Sequence, residues 1–128
     1  MDEQENRNTL ERYFQAFGRH DLDTIDALLH DDYVEEYPQS GESIRGKHNT
    51  RMAAENYPGG LPNMIDYSYI VSGDLGVGEL LLEYHGDRVY VCDILELEDS
   101  KIKKTRANFS RPFEAPEWRA QWTERIER

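Results

Sequence analysis

The first stretch of the chain carries its apolar residues at helical intervals. Leu10, Tyr13, Phe14 and Phe17 recur every three or four positions, with Asn, Glu, Arg and Gln around them. This predicts an amphipathic helix over residues 5–18 whose polar side chains face water. Asp21 is a suitable N-cap for a second helix bearing Leu22, Ile25, Leu28 and Leu29. Residues 32–38 are short and aromatic and end on Pro38. They predict a strand on a sheet edge, because proline cannot donate to a ladder. Residues 39–45 read as a turn-rich loop. Residues 47–57 predict a third helix, with Thr50, Ala53, Ala54 and Tyr57 on its inward side, stopped by Pro58-Gly59-Gly60.

From Asn63 the period changes to two. Ile65, Tyr67, Tyr69 and Val71 alternate with Met64, Asp66, Ser68 and Ile70, as in a half-buried strand. A turn over residues 72–76, a strand over 78–85, a hairpin signal at Gly86-Asp87, and strands over 88–98 and 101–110 follow. The tail over residues 114–124 reads as a short helix or an extended segment. Helices followed by a four-strand meander predict an α+β fold. Three N-terminal helices are expected to cover one face of a curved antiparallel sheet, in a single domain spanning residues 1–128.

Charge removes several function classes. There are 15 Lys and Arg against 26 Asp and Glu, a net charge of −11. Binding to nucleic acid or to an anionic membrane surface needs clustered positive charge, so neither is expected. A single cysteine, Cys92, allows no internal disulfide. No apolar run approaches the roughly 20 residues needed to span a bilayer, and the start of the chain is polar and acidic, so a cytoplasmic location is expected. There is no His-x-x-x-His, Cys-x-x-Cys, calcium-loop, dinucleotide or Walker pattern. Neither a metal nor a cofactor is expected.

Strand alternation places candidate chemistry. Asp93 shares a face with Val91, Leu95 and Leu97, while Tyr90, Cys92, Ile94 and Glu96 face the other way. A carboxyl group in that company loses hydration, and its pKa rises. Tyr33, Glu35 and Tyr37 share a strand face and Glu36 opposes them; a slip of one residue exchanges Glu35 for Glu36. On the last strand Thr105, Ala107 and Phe109 point inward and Arg106 outward. Tyr13, Phe17, Tyr33, Tyr37, Tyr57, Tyr67, Tyr69, Tyr84 and Phe109 can reach one interior. They would suit a small hydrophobic, planar ligand with one or two oxygens. Some would instead lie on the outer sheet face at a dimer interface. His48 borders the expected pocket mouth. His20, His30 and His85 read as surface residues.

This order of elements resembles the nuclear transport factor 2-like superfamily, which includes SnoaL-like cyclases, ketosteroid isomerase and limonene epoxide hydrolase. The resemblance rests on the segments 13–22 and 93–102, on Asp31-Asp32 before the first strand and on Arg45-Gly46 before the third helix. It spans about residues 8–113. It implies a cone enclosing one deep apolar pocket and a homodimer formed through the open sheet face. Tyr13 matches the isomerase family's oxyanion-hole tyrosine, and Asp93 its protonated aspartic acid. The family's catalytic-base aspartate, before the proline that ends the first strand, is Tyr37 here. Glu35 is then the candidate base. The expected functions are cofactor-independent isomerisation, cyclisation or dehydration of a carbonyl-bearing ligand, non-catalytic ligand binding, or protein interaction.

Overall fold

The computed structural model describes residues 2–126. Helix α1 (Glu3–Gly18) opens on Asp2, whose carboxylate accepts from the backbone N–H groups of Gln4 and Glu5 at 2.9 and 3.2 Å. This satisfies donors left orphaned at a helix start. Helix α2 (Leu22–Leu28) is capped by Asp21, which accepts from the Thr24 N–H at 3.1 Å and its hydroxyl at 2.6 Å. Strands β1 (Leu29–Tyr37) and β2 (Glu42–Arg45) precede helix α3 (Lys47–Glu55). Then come β3 (Asn63–Ser72), β4 (Leu75–Tyr84), β5 (Asp87–Glu98), β6 (Lys101–Ser110) and a 3-10 helix at Glu117–Trp122.

The six strands form one curved, unclosed sheet in the order β2-β1-β6-β5-β4-β3. The α+β class is as expected, with three differences. Residues 42–45 form strand β2 rather than a loop, pairing antiparallel with β1. Strand β1 is therefore internal, not an edge, and Pro38 lies just beyond its end, where no ladder donor is needed. Strand β1 also runs parallel to β6, so the sheet is mixed.

Along β3 the register shifts between Met64 and Asp66. Such a bulge exchanges the two faces of a strand. Ile65, expected inward with Tyr67, is 47% exposed, whereas Met64 packs against the core. The β4–β5 turn is His85-Gly86, both with positive φ (52° and 86°), one residue earlier than the sequence suggests. Two left-handed residues give the turn whose twist matches a hairpin.

The helices cover one sheet face. Leu10 and Phe14 of α1 are fully buried against inward positions of β4 and β5, among them Leu80, Leu82, Val91 and Leu95. Gly76 and Gly78 on β4 permit this approach: a Cβ there would lie 2.5 Å from Leu10 Cδ1 and 2.6 Å from Phe14 Cζ. Asn6, expected to face water, is instead buried. Its Nδ2 donates to the Gly73 carbonyl at 2.8 Å and to Asp74 at 3.0 Å, tying α1 to the β3–β4 turn. Among the described residues no helix is long and apolar enough to cross a membrane.

Candidate functional site

Between the helices and the inner sheet face lies a cavity of about 160 Å³. Its apolar wall includes Phe17, Ile25, Leu80, Leu82, Val91 and Phe109. Tyr13 from α1, Asp93 from β5 and Glu35 from β1 all reach it. The strand register explains the convergence. Asp93 pairs with Ala107 and Glu35 with Thr105. The two carboxyl groups thus flank β6, one on each neighbouring strand, each about 5 Å from it.

Asp93 is 5% exposed and makes no hydrogen bond among the described residues. Burial, and next the negative charge of Glu35, push its carboxyl up to about 7 from an ordinary value near 3.8. Near neutral pH it therefore exists partly as an uncharged carboxylic acid, able to donate. Tyr13 is buried, and its hydroxyl also lacks a hydrogen-bond partner among the described residues. Burial and the charges of Glu35 and Asp93 hold its pKa well above the ordinary phenol value. It stays a neutral donor. Thr105 also lines the cavity, with its side-chain oxygen turned toward the Tyr33 hydroxyl. The Asp93 carboxyl and the Tyr13 hydroxyl are thus two polar groups without a hydrogen-bond partner among the described residues that line one space.

Glu35 differs. The Tyr33 hydroxyl donates to Oε1 at 2.8 Å and the Tyr37 hydroxyl donates to Oε2. Alternation along β1 puts the three side chains on one face. Glu36 lies opposite and pairs with Lys104 at 3.4 Å, which resolves the strand phase in favour of Glu35. Burial and the adjacent Glu35 charge raise the pKa of both tyrosines, so both remain donors.

The predicted aromatic set divides. Phe17, Tyr37, Tyr57 and Phe109 line the cavity with Tyr13. Tyr33 lies behind the lining, 1% exposed, against Glu35. Tyr67 and Tyr69 lie outside it: both hydroxyls donate to Glu11 of α1, and their rings pack 5.4 and 5.6 Å from Phe14. Tyr84 donates to the Pro58 carbonyl and meets Tyr57 edge-on. His48 is exposed and not part of the lining. Arg106 points outward to Glu96 at 3.2 Å, as expected.

The sequence reading missed Ile44, which β2 delivers opposite Glu35, and the rim residues Lys47 and Arg51 of α3. The four-residue spacing of Lys47 and Arg51 on a helix was the available signal. Both are engaged, Lys47 with Asp26 at 3.7 Å and Arg51 with Asp23 at 2.7 Å.

One group with metal-ligand chemistry occurs among the described residues: His30, Glu98 and Asp99. His30 Nδ1 accepts from the Asp32 N–H at 3.0 Å, so the ring proton is on Nε2, facing Glu98 at 3.1 Å. Neutral imidazole with an accepting Nδ1 has no free Nε2 lone pair for a metal. The arrangement is an ordinary hydrogen bond.

The fold is that of nuclear transport factor 2-like domains. The model of the SnoaL-like domain matches residues 10–105, and the chain belongs to that family. It is 33% identical to an NTF-2-like protein of unknown function from Burkholderia xenovorans LB400, with 98% of each chain covered and a TM-score of 0.85. A provisionally assigned ketosteroid isomerase from Kribbella flavida DSM 17836 shares 22% identity over 99% of this chain and 93% of its own, with a TM-score of 0.87. An LEH-like epoxide hydrolase of M. tuberculosis shares 26% identity over 84% of each chain, with a TM-score of 0.66. A comparison with curated proteins finds no match.

Proposed function

We propose that the protein performs cofactor-independent acid–base chemistry on a small carbonyl compound. The observation that carries this is the Asp93 carboxyl: buried, without a hydrogen bond among the described residues, and facing a cavity beside the equally unpaired Tyr13. A carbonyl oxygen between them would receive two hydrogen bonds. These strengthen as negative charge develops, which lowers the barrier to enolate formation. Glu35 is the base. It takes the proton from the carbon next to the carbonyl and returns it to another carbon, or to a leaving oxygen. Isomerisation, cyclisation and dehydration all share this first step. Ketosteroid isomerase likewise keeps an aspartic acid neutral in its oxyanion hole; here the base differs in type and position.

Cavity size limits the ligand. A cavity of about 150 Å³ accepts benzene, so the enclosed part fits one ring. A larger molecule would extend between α2 and α3.

One observation favours a second reading, binding without turnover. Both Glu35 oxygens already accept from tyrosine hydroxyls. A substrate proton could reach the carboxylate only by displacing one of these donors. A homodimer joined through the outer sheet face belongs to the same proposal, supported by exposed Ile70 and Leu75 on that face.

The test uses single-ring enones, with the matching phenols as enolate mimics, followed by NMR for binding and for exchange of the acidic carbon-bound protons into deuterated water. Exchange that is lost in Glu35→Gln supports catalysis. Binding without exchange supports the second reading. Neither binding nor exchange across the set overturns the proposal.

A further inference from the structure

The last residues leave β6 as an arm that exposes its large apolar side chains. Phe113, Trp118, Trp122 and Ile126 are between 73% and 82% exposed. Trp118 and Trp122 both lie on the 3-10 helix, four residues apart. Three aromatics of this kind expose about 400–500 Å² of apolar surface in total.

A second apolar surface lies elsewhere on the chain. On the outer sheet face Ile70, Val77 and Ile94 stand in direct register across β3, β4 and β5. Ile70 is 69% exposed, and Leu75 lies beside it on the same face of β4. Two charged pairs border this strip, and Glu79, two residues from Val77 on the same face of β4, is exposed. Arg106 holds Glu96 at 3.2 Å, and Lys104 holds Glu36 at 3.4 Å.

We propose that each arm docks on the outer sheet face of a second copy of the chain, over Ile70, Val77 and Ile94, in a reciprocal exchange. This rests on the sheet-face pairing proposed above and adds the segment that holds it together. Three observations favour another copy as the occupant. The exchange is self-complementary, as two-fold association requires. Its area is right: two arms and the surfaces they cover give about 2,000 Å², enough for a stable dimer. The electrostatics also permit it. Two copies at −11 repel, but residues 111–126 hold three Arg and three Glu and are neutral, so the arm brings no net charge of its own to that face. The match to the Burkholderia protein spans 98% of this chain, so it runs through the arm.

The chain's two tryptophans are both in the arm, so intrinsic fluorescence reports on it alone. The full chain is diluted stepwise while its mass is followed by sedimentation and its tryptophan emission is recorded. The expected result is a dimer with blue-shifted emission that dissociates with a matching red shift. Trp118→Ala/Trp122→Ala and, separately, Ile70→Glu should each raise the dissociation constant at least 100-fold with circular dichroism unchanged. A monomer at every concentration overturns both the pairing and the arm. A dimer indifferent to the tryptophan substitutions leaves sheet-face pairing standing and overturns the arm. A dimer weakened by the tryptophan substitutions but not by Ile70→Glu overturns this docking place. A blue shift that appears only with phosphatidylcholine vesicles overturns a protein partner altogether.

Discussion

Replacing Asp93 by Asn should change how stability depends on pH. The Asp93 carboxyl stands at about 7 in the folded chain, against 3.8 for the ordinary group. Between those values the folded state holds a proton that the unfolded state has released. Stability therefore falls as pH rises, by about 1.4 kcal/mol per unit. Over about three units the loss reaches about 4 kcal/mol, and above the folded value it levels off. Asn fills nearly the same volume and has no proton to lose. The difference in stability, Asn variant minus wild type, should thus climb by about 4 kcal/mol from pH 4 to pH 8. Taking the difference cancels the other carboxylates. Glu11 and Glu98, held low chiefly by hydrogen bonds from Tyr67 and from Lys103, act in the opposite direction in both proteins. Urea unfolding at a series of pH values reads this directly: at a slope of about 2 kcal/mol/M, the midpoint difference should grow by about 2 M. A difference that stays flat across this range would show that Asp93 ionises as it does in water, and would refute the reasoning.

Other outcomes follow from the same geometry. Asp93→Ala or Tyr13→Phe should each lower enolate-forming turnover about 100- to 1,000-fold, the usual effect of losing one oxyanion donor. Binding of a neutral carbonyl ligand should weaken as pH rises through about 7, where Asp93 stops donating; in Asp93→Asn, whose amide still donates, calorimetry should find affinity independent of pH. Gly78→Ala forces a methyl to within 2.6 Å of the buried Phe14 ring and should cost about 1–3 kcal/mol in thermal or urea unfolding; an unchanged midpoint would show that α1 has room to shift.

Much of the fold is legible where one periodicity runs unbroken. The Leu10–Phe17 stripe appears as α1. The alternation from Val91 to Leu97 along β5 carries Asp93 inward with its apolar neighbours. Legibility fails where structure depends on distant partners. Strand β2 has one apolar residue, Ile44, and owes its existence to pairing with β1. Neither the parallel β1–β6 pairing nor the bulge beside Ile65 leaves a local mark, and the bulge reverses the face of one end of β3. At the site, the spacing of Tyr33, Glu35 and Tyr37 predicts a shared face. It does not predict that both hydroxyls turn onto Glu35. Tyr67 and Tyr69 go to Glu11, a partner 56 and 58 residues away in the chain. Aromatic content thus indicates a ring-rich interior, while the distribution of acceptors decides which rings face the cavity.

An isotope-edited NMR titration of the Asp93 side-chain carboxyl, assigned by its absence in Asp93→Asn, addresses the centre of this account. A midpoint near 7, moving lower in Glu35→Gln as one nearby negative charge is removed, is the predicted result. A midpoint near 4, indifferent to residue 35, would contradict it.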